Sequence, residues 1–333
     1  MGTAPEESRP SALQRIAAGS STQIGLILVG LIVAFSVLKF DQFFAVANAR
    51  NIATDAAVLL VLAVGATYVI VTAGIDLSVG AVLVFSGVIA AKVMNGPGGG
   101  GDSWGVILLG LAASLLAGLA WGLFNGVLVA KAKIPAFIVT LGSLGMSLGA
   151  AYLITGGVDE REVPVKLISE VGIGRVLGIP YLVLIALAVA IVFGIVLAQT
   201  RFGRYTYAVG SNEEAVRRAG VNVDRHLIKI YALAGLLSGL AGFMNLARFG
   251  TTTIGGHATD NLNAIAAVVI GGTSLFGGIG SILGTVFGVF IPAVLQNGFV
   301  IVGVQAFWQQ VAVGGVLILA VYLDQVRRAR QRQ

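Results

Sequence analysis

Cysteine is absent from the 333 residues, which excludes disulfides, thiolate catalysis and cysteine metal sites together. The two histidines, His226 and His257, lie far apart in the chain and form no ligand pair, so no metal is expected. Charge is scarce as well. Charged residues make up 11% of the chain, against roughly 25% in soluble domains, while hydrophobic residues reach 57%. No G-x-x-x-x-G-K-[ST] occurs, which excludes nucleotide binding through a P-loop. Neither H-E-x-x-H nor G-x-S-x-G occurs, so the protease and hydrolase signatures are missing too. The net charge of +6 is not a nucleic-acid footprint, because the basic residues cluster at the ends of apolar runs rather than in one patch.

What is present is apolar sequence in lengths that cross a bilayer. A span needs roughly 20 apolar residues, or fewer where a helix is broken or enclosed by neighbours. On that rule spans are predicted near 22–38, 57–73, 79–94, 105–129, 135–154, 180–199, 228–248, 262–275, 281–300 and 304–323. The second, third and eighth are short. The expected architecture is an all-α polytopic transmembrane bundle of about ten spans occupying 22–324, between polar tails at 1–21 and 325–333. The run from Ile24 to Leu38 lacks a compact basic region before it, so it reads as a retained span rather than a cleaved signal. With both termini inside, fourteen basic residues fall on the cytoplasmic side and seven outside, the bias that sets orientation. Trp104 and Trp308 then fall at outer boundaries, where indoles prefer the interface.

One long segment breaks the pattern. Arg201 to Asp224, RFGRYTYAVGSNEEAVRRAGVNVD, is charge-rich and lies in a cytoplasmic loop at 200–227. Ser211, Asn212, Glu213 and Glu214 read as a capping box, with the Ser211 hydroxyl accepting from Glu214 and the glutamate reaching back. Acids in the first turn and Arg217 and Arg218 in the last suit the helix dipole, and Gly220 is placed to end the helix. A short self-capped helix held off the membrane between two spans is a handle on which another protein can push.

Within the spans, Asp76 is a carboxylate between two apolar runs. It is either a contact for a proton or cargo, or a cap for a helix starting near Leu77. Asn125, Thr140, Ser143, Ser147, Asn245, Gln296 and Asn297 are polar at span depth, and each either lines a polar path or bonds between helices. Two breaks, Val71 to Gly80 and Val269 to Gly278, share Val, Gly, Leu and Gly in order. Their spacing does not fit an inverted repeat. Gly118, Gly122 and Gly126, and likewise Gly280, Gly284 and Gly288, form two seams for close helix packing, either inside the chain or, for one of them, at a dimer interface. Arg248 ends the seventh span at the outer face, where it either snorkels or touches an outer partner. The outer loop from Thr155 to Gly178 is long enough to meet such a partner or simply to connect spans.

Taken in order, several motifs carry a resemblance. They are Ala73-Gly-Ile-Asp-Leu-Ser-Val-Gly80, Pro135-Ala-Phe-Ile-Val-Thr-Leu-Gly142, Thr155-Gly-Gly157, Gly203-Arg-Tyr205 with Ala208-Val-Gly-Ser-Asn-Glu213, and Ala264 to Ser274 with Asn297-Gly298. From about Thr54 to Asp324 the chain resembles the ribose/xylose/galactose-type permease family of bacterial ABC importers. The resemblance implies a permease dimer in the inner membrane and its lipid, two cytoplasmic ATPase domains and an external sugar-binding protein. It implies that Ser211–Gly220 is the helix that docks into the ATPase, and that ATP and magnesium belong to that partner, with no cofactor or enzymatic activity on this chain. The chain departs from the family at Asn261-Leu-Asn263, where Glu-Leu-Asp is usual. These two amides and Arg248 are the candidate contacts for the binding protein. Asp76, Asn125, Thr140, Ser143, Asn245 and Asn297 are the candidate path. The alternatives are a sister permease for nucleosides or branched-chain amino acids, or an ion-coupled transporter using Asp76.

Overall fold

The computed structural model describes residues 20–96, 101–257 and 259–305, with positions 308, 311, 314, 315 and 322 beyond them. The amino-terminal tail, most of the tenth expected span and the basic tail at 325–333 lie outside the described residues. Each of the first nine expected spans carries a helix. In chain order these are α1 (Ser20–Leu38), a short α2 (Phe40–Phe43), α3 (Val46–Val71), α4 (Val79–Asn95), α5 (Trp104–Ala130), α6 (Ala136–Thr155) and α7 (Tyr181–Gln199). Then come α8 (Arg201–Ser211), α9 (Glu213–Arg218), α10 (Val223–Phe249), α11 (Asp260–Ile270) and α12 (Ile282–Ile301). The outer loop adds one turn of π-helix at Leu167–Gly172 and a two-residue hairpin, β1 (Arg175–Val176) with β2 (Ile179–Pro180).

The expected all-α bundle stands, but ten full spans do not appear among the described residues. Six helices (α3, α5, α6, α7, α10 and α12) are long and apolar enough to cross a membrane, and Ile24–Leu38 and α4 are shorter apolar helices. The second span corrects the expectation most. It starts at Val46 rather than 57 and is not short, having 26 residues. Its first turns are polar, so a hydropathy window misses them, yet Asn51 and Asp55 at i and i+4 share one face. The eighth span is short as expected: α11 has 11 residues, too few to cross.

The core is built on α3 and α10. Every residue of α3 from Ala56 to Val71 except Leu59 is buried, with α10, α7, α11 and α12 around it. The most extensive helix contact joins α5 to α10. A Cβ on Gly118 or Gly122 of α5 would overlap the backbone of Gly235, Gly239 or Tyr231 on α10, so only glycine allows the two backbones this close. Ser114 of α5 donates across the same seam to the Gly239 carbonyl at 2.7 Å. Gly284 and Gly288 of α12 likewise meet the backbone of Gly271 and Ala267. Gly280 precedes α12 and belongs to the turn before it, not to that seam. Both seams are therefore used inside one chain. Ion pairs between separate elements join segments assigned to the same side: Lys133 with Asp224 within, Lys92 with Glu160 and Arg248 with Asp55 outside.

Candidate functional site

On the inner side, the hydrophilic segment is two helices rather than one. The amphipathic run Arg201–Ser211 continues as helix to Ser211, whose hydroxyl donates to Tyr207 O at 2.9 Å. Ser211 therefore does not cap α9. Asn212 breaks the run, and its side-chain oxygen accepts from Ala215 N at 2.9 Å to start α9. Glu214 does not close a capping box but pairs with Arg218 at 2.8 Å. Gly220, at φ +83°, ends α9: its N–H meets Arg217 O, and Val221 N–H meets Val216 O.

The four charged residues of α9 divide into two kinds. Arg217 donates to Glu213 at 2.8 Å and to Asp224 at 2.5 Å, and Lys133 reaches Asp224 at 2.9 Å. This clasp ties α9 to the start of α10 and to the loop between α5 and α6. The hydrogen bonds it donates to Asp224 and then Glu213 raise the Arg217 pKa further above its usual value. Glu214 and Arg218 pair only with each other, and their side chains are 78% and 74% exposed. That pair is the most exposed charged part of α9, although Glu213 and Ala215 also face solvent.

The end of α8 meets both glycine-punctuated breaks at once. A Cβ on Gly210 would overlap the Val71 carbonyl and come within 2.7 Å of Gly278 N. Gly278 N–H donates to that same carbonyl at 2.9 Å, and Tyr207 Oη donates to Gly280 O at 2.7 Å. Ala73 beside them is held at φ +61°. The two breaks, 198 positions apart in the chain, therefore meet on the inner hydrophilic segment.

Inside the first break, four of the candidate path residues join in a buried network. Ser78 donates to Asp76 Oδ1 from its N–H at 2.8 Å and from its hydroxyl at 2.6 Å. Asn125 Nδ2 donates to Ser78 Oγ at 2.9 Å, and Ser143 Oγ donates to Asn125 Oδ1. Thr140 reaches Ile75 O at 3.3 Å, while Ser147 bonds back to Ser143 O within α6. Asp76 shapes the turn before α4, which starts at Val79 rather than near Leu77, and receives no first-turn N–H of that helix. The network fastens the α3–α4 break to α5 and α6. The Tyr231 hydroxyl, buried and beside Gly74, has no partner among the described residues.

The other two path residues, Asn245 and Asn297, lie elsewhere. They line a cavity of about 730 Å³ between α3, α10, α11 and α12, together with Asn51, Asp55, Arg248, His257, Asp260, Asn263 and Gln296. By the sidedness above, it is at the outer end. Arg248 does not snorkel free but pairs with Asp55 of α3. Asn263 lines the cavity, whereas Asn261 is 7% exposed and packs its backbone against Gly80, which withdraws it from the outer surface. Asp55 and the adjoining chain His257–Asp260 carry no sequence signal that singles them out. Asp159 of the outer loop accepts from Ile254 N at 2.7 Å and Thr252 Oγ1 at 3.1 Å, which clasps that loop onto the segment holding His257.

Comparison with known proteins adds the lineage. The chain is 38% identical over 308 residues, covering 91% of this chain and 93% of the other, to the ribose import permease protein RbsC of Escherichia coli (strain K12). It is 36% identical to the fructose import permease protein FrcC of Rhizobium meliloti, over 90% and 84% of the two chains. It is 33% identical to the L-arabinose ABC transporter permease protein AraH of Azospirillum brasilense, over 99% and 94%. No solved structure matches the chain. A family model described as "branched-chain amino acid transport system / permease component" matches residues 48–321, and with these relatives it establishes that the chain belongs to that family of membrane-embedded ABC permeases.

Proposed function

We propose that this chain is the permease subunit of an importer that moves a monosaccharide inward by alternating access, driven by a partner ATPase. The observation that carries the cargo class is the similarity, over most of both chains, to permeases named for ribose, fructose and L-arabinose. The family description speaks of branched-chain amino acids, but these relatives speak of sugars. A partner ATPase and an external binding protein follow from membership in such a system. The exposed Glu214–Arg218 pair of α9 supports docking of the ATPase there. Movement of α9 and α8 would reach Val71 and Gly278 through Gly210, where the backbones already touch. A second copy is proposed to cover α6, where Gly142, Gly145 and Gly149 have open space beside them. Lipid would cover the remaining exposed apolar side chains, such as Leu116 and Ile191.

The test is uptake of labelled D-ribose, D-fructose, L-arabinose and L-leucine by cells carrying or lacking the complete transporter. Accumulation of at least one sugar, lost with the gene for this chain, is expected. Uptake of leucine alone would refute the cargo class.

A further inference from the structure

We propose that the outer cavity between α3, α10, α11 and α12 is a binding site on the permease itself for a neutral polyhydroxylated ligand. The inference deepens the sugar-import reading and rests on it. At about 730 Å³ the cavity falls within the range of roughly 300–1,000 Å³ typical of small-molecule sites. Its size alone says little, but its chemistry is more selective.

The three charged side chains at the cavity, Asp55, Arg248 and Asp260, each have an ion-pairing partner in the protein. Arg248 is paired with Asp55, and Asp260 Oδ2 meets His257 Nδ1 at 2.6 Å. A zwitterionic amino acid needs a counter-charge at each end, and Asp55 already competes for Arg248. What remains is a ring of side-chain amides: Asn51, Asn245, Asn263, Gln296 and Asn297. Each amide offers two N–H donors and a carbonyl acceptor, which match a hydroxyl that both donates and accepts. Phe249 adds an apolar face for the carbon skeleton.

Two polar atoms of these lining residues are buried and have no hydrogen-bond partner among the described residues: Arg248 Nη1, a donor, and Asn297 Oδ1, an acceptor. Leaving such groups unpaired is costly, but neither atom is exposed to the cavity, so the ligand's partners are the amide groups that line it. The surroundings hold the lining in place. Asn297 Nδ2 is anchored on Asn48 Oδ1 at 2.8 Å, and Asn245 Nδ2 on Thr253 Oγ1 at 3.1 Å. Thr253 in turn lies 3.0 Å from His257 Nε2. Groups fixed before binding lose little freedom on binding. The permease would therefore contribute to cargo selection itself, separately from the external binding protein.

Asn263 and Gln296 show no side-chain hydrogen bond among the described residues, so replacing both with leucine removes two amides from the lining without breaking one. Saturation-transfer NMR on the full chain in lipid nanodiscs, with D-ribose, D-fructose, L-arabinose and L-leucine in turn, provides the test. At least one sugar is expected to receive saturation. Asn263→Leu with Gln296→Leu is expected to weaken its binding at least tenfold, equivalent to about 1.4 kcal/mol. Gln296→Leu alone, which breaks no hydrogen bond among the described residues, is expected to weaken binding severalfold and serves if the double variant fails to fold. If cells import a sugar but the nanodisc permease shows no transfer from it, or transfer is unchanged by the double variant, the cavity site is refuted and the cargo reading stands. If cells import only leucine, the cargo reading itself has failed.

Discussion

Charge reversal at Arg217 and at Arg218 should have different consequences, although the residues are neighbours in a six-residue helix. Arg217 is held by Glu213 and Asp224 and is about one-third exposed, whereas Arg218 meets only Glu214 in open solvent. Exposed ion pairs contribute roughly 0.2–1 kcal/mol, and i,i+4 pairs about 0.3–0.5. Arg218→Glu forfeits one such pair and sets two acids at i,i+4, a repulsion of similar size. Its total effect on local stability is therefore under about 1 kcal/mol. Arg217→Glu loses two partners and places a third carboxylate beside Glu213 and Asp224, with Lys133 alone to offset them. After discounting for solvent screening, about 1–2 kcal/mol is expected, a factor of roughly 5–30 in the opening equilibrium. Hydrogen exchange of the amides from Ala215 to Arg225 reads this directly: strong acceleration in Arg217→Glu, little in Arg218→Glu. Uptake by the complete transporter should fall in both, in the first because the lever has loosened, in the second because its contact has the wrong sign. Wild-type uptake in a normally expressed Arg218→Glu variant would remove α9 from the coupling route. Equal exchange in the two variants would show that the clasp around Asp224 does not hold the lever.

The packing sets four further outcomes. Gly122→Val should leave no folded protein in the membrane, since its side chain would overlap the Tyr231 carbonyl and the Gly235 backbone; overpacking at less confined sites already costs about 1–3 kcal/mol, and membrane-fraction immunoblotting reads the loss. Asn125→Leu removes two interhelical hydrogen bonds, worth roughly 0.6 kcal/mol each on average in a membrane bundle, and should lower the detergent melting temperature by a few degrees. Ser143→Ala should lower it less, because it removes only one of those bonds. Gly210→Val should preserve ATPase binding, measured by co-purification, while uptake falls, because the substitution separates α8 from Val71 and Gly278.

Helix positions are legible because apolar runs between polar punctuation leave little choice in a bilayer, and eight of the first nine expected starts fall within five residues of the helices seen. The exception, α3, shows the limit of that signal: its polar first turns serve a cavity shared with α10 and α12, which no local window can detect. The inner helix is legible in where it stops, at Gly220, but not in where it starts. Ser211 and Asn212 are both good caps, and only the continuation of α8 through Ser211 decides between them. Depth in the membrane alone picks the candidate path residues, and depth merges two separate sites into one. Asp76, Asn125, Thr140 and Ser143 belong to a closed network, while Asn245 and Asn297 belong to an open cavity.

That separation bears on how motion could pass through the molecule. A lever works only if the piece it pushes is stiff. The break after α3 would be soft on its own, with Ala73 at positive φ and Gly74 beside it. Asp76 and Ser78 stiffen it from within, and Asn125, Thr140 and Ser143 fasten it to α5 and α6. A displacement delivered to the Val71 carbonyl through Gly210 would then not be absorbed locally; it would move α3 together with the helices tied to the break. α3 is also the helix that carries Asn51 and Asp55 to the outer cavity. One 26-residue helix thus has its inner end against the hydrophilic segment proposed to meet the ATPase and its outer end in the wall of the polar chamber. Such a rod supplies a physical connection of the kind alternating access requires, provided both ends favour different positions in the two states.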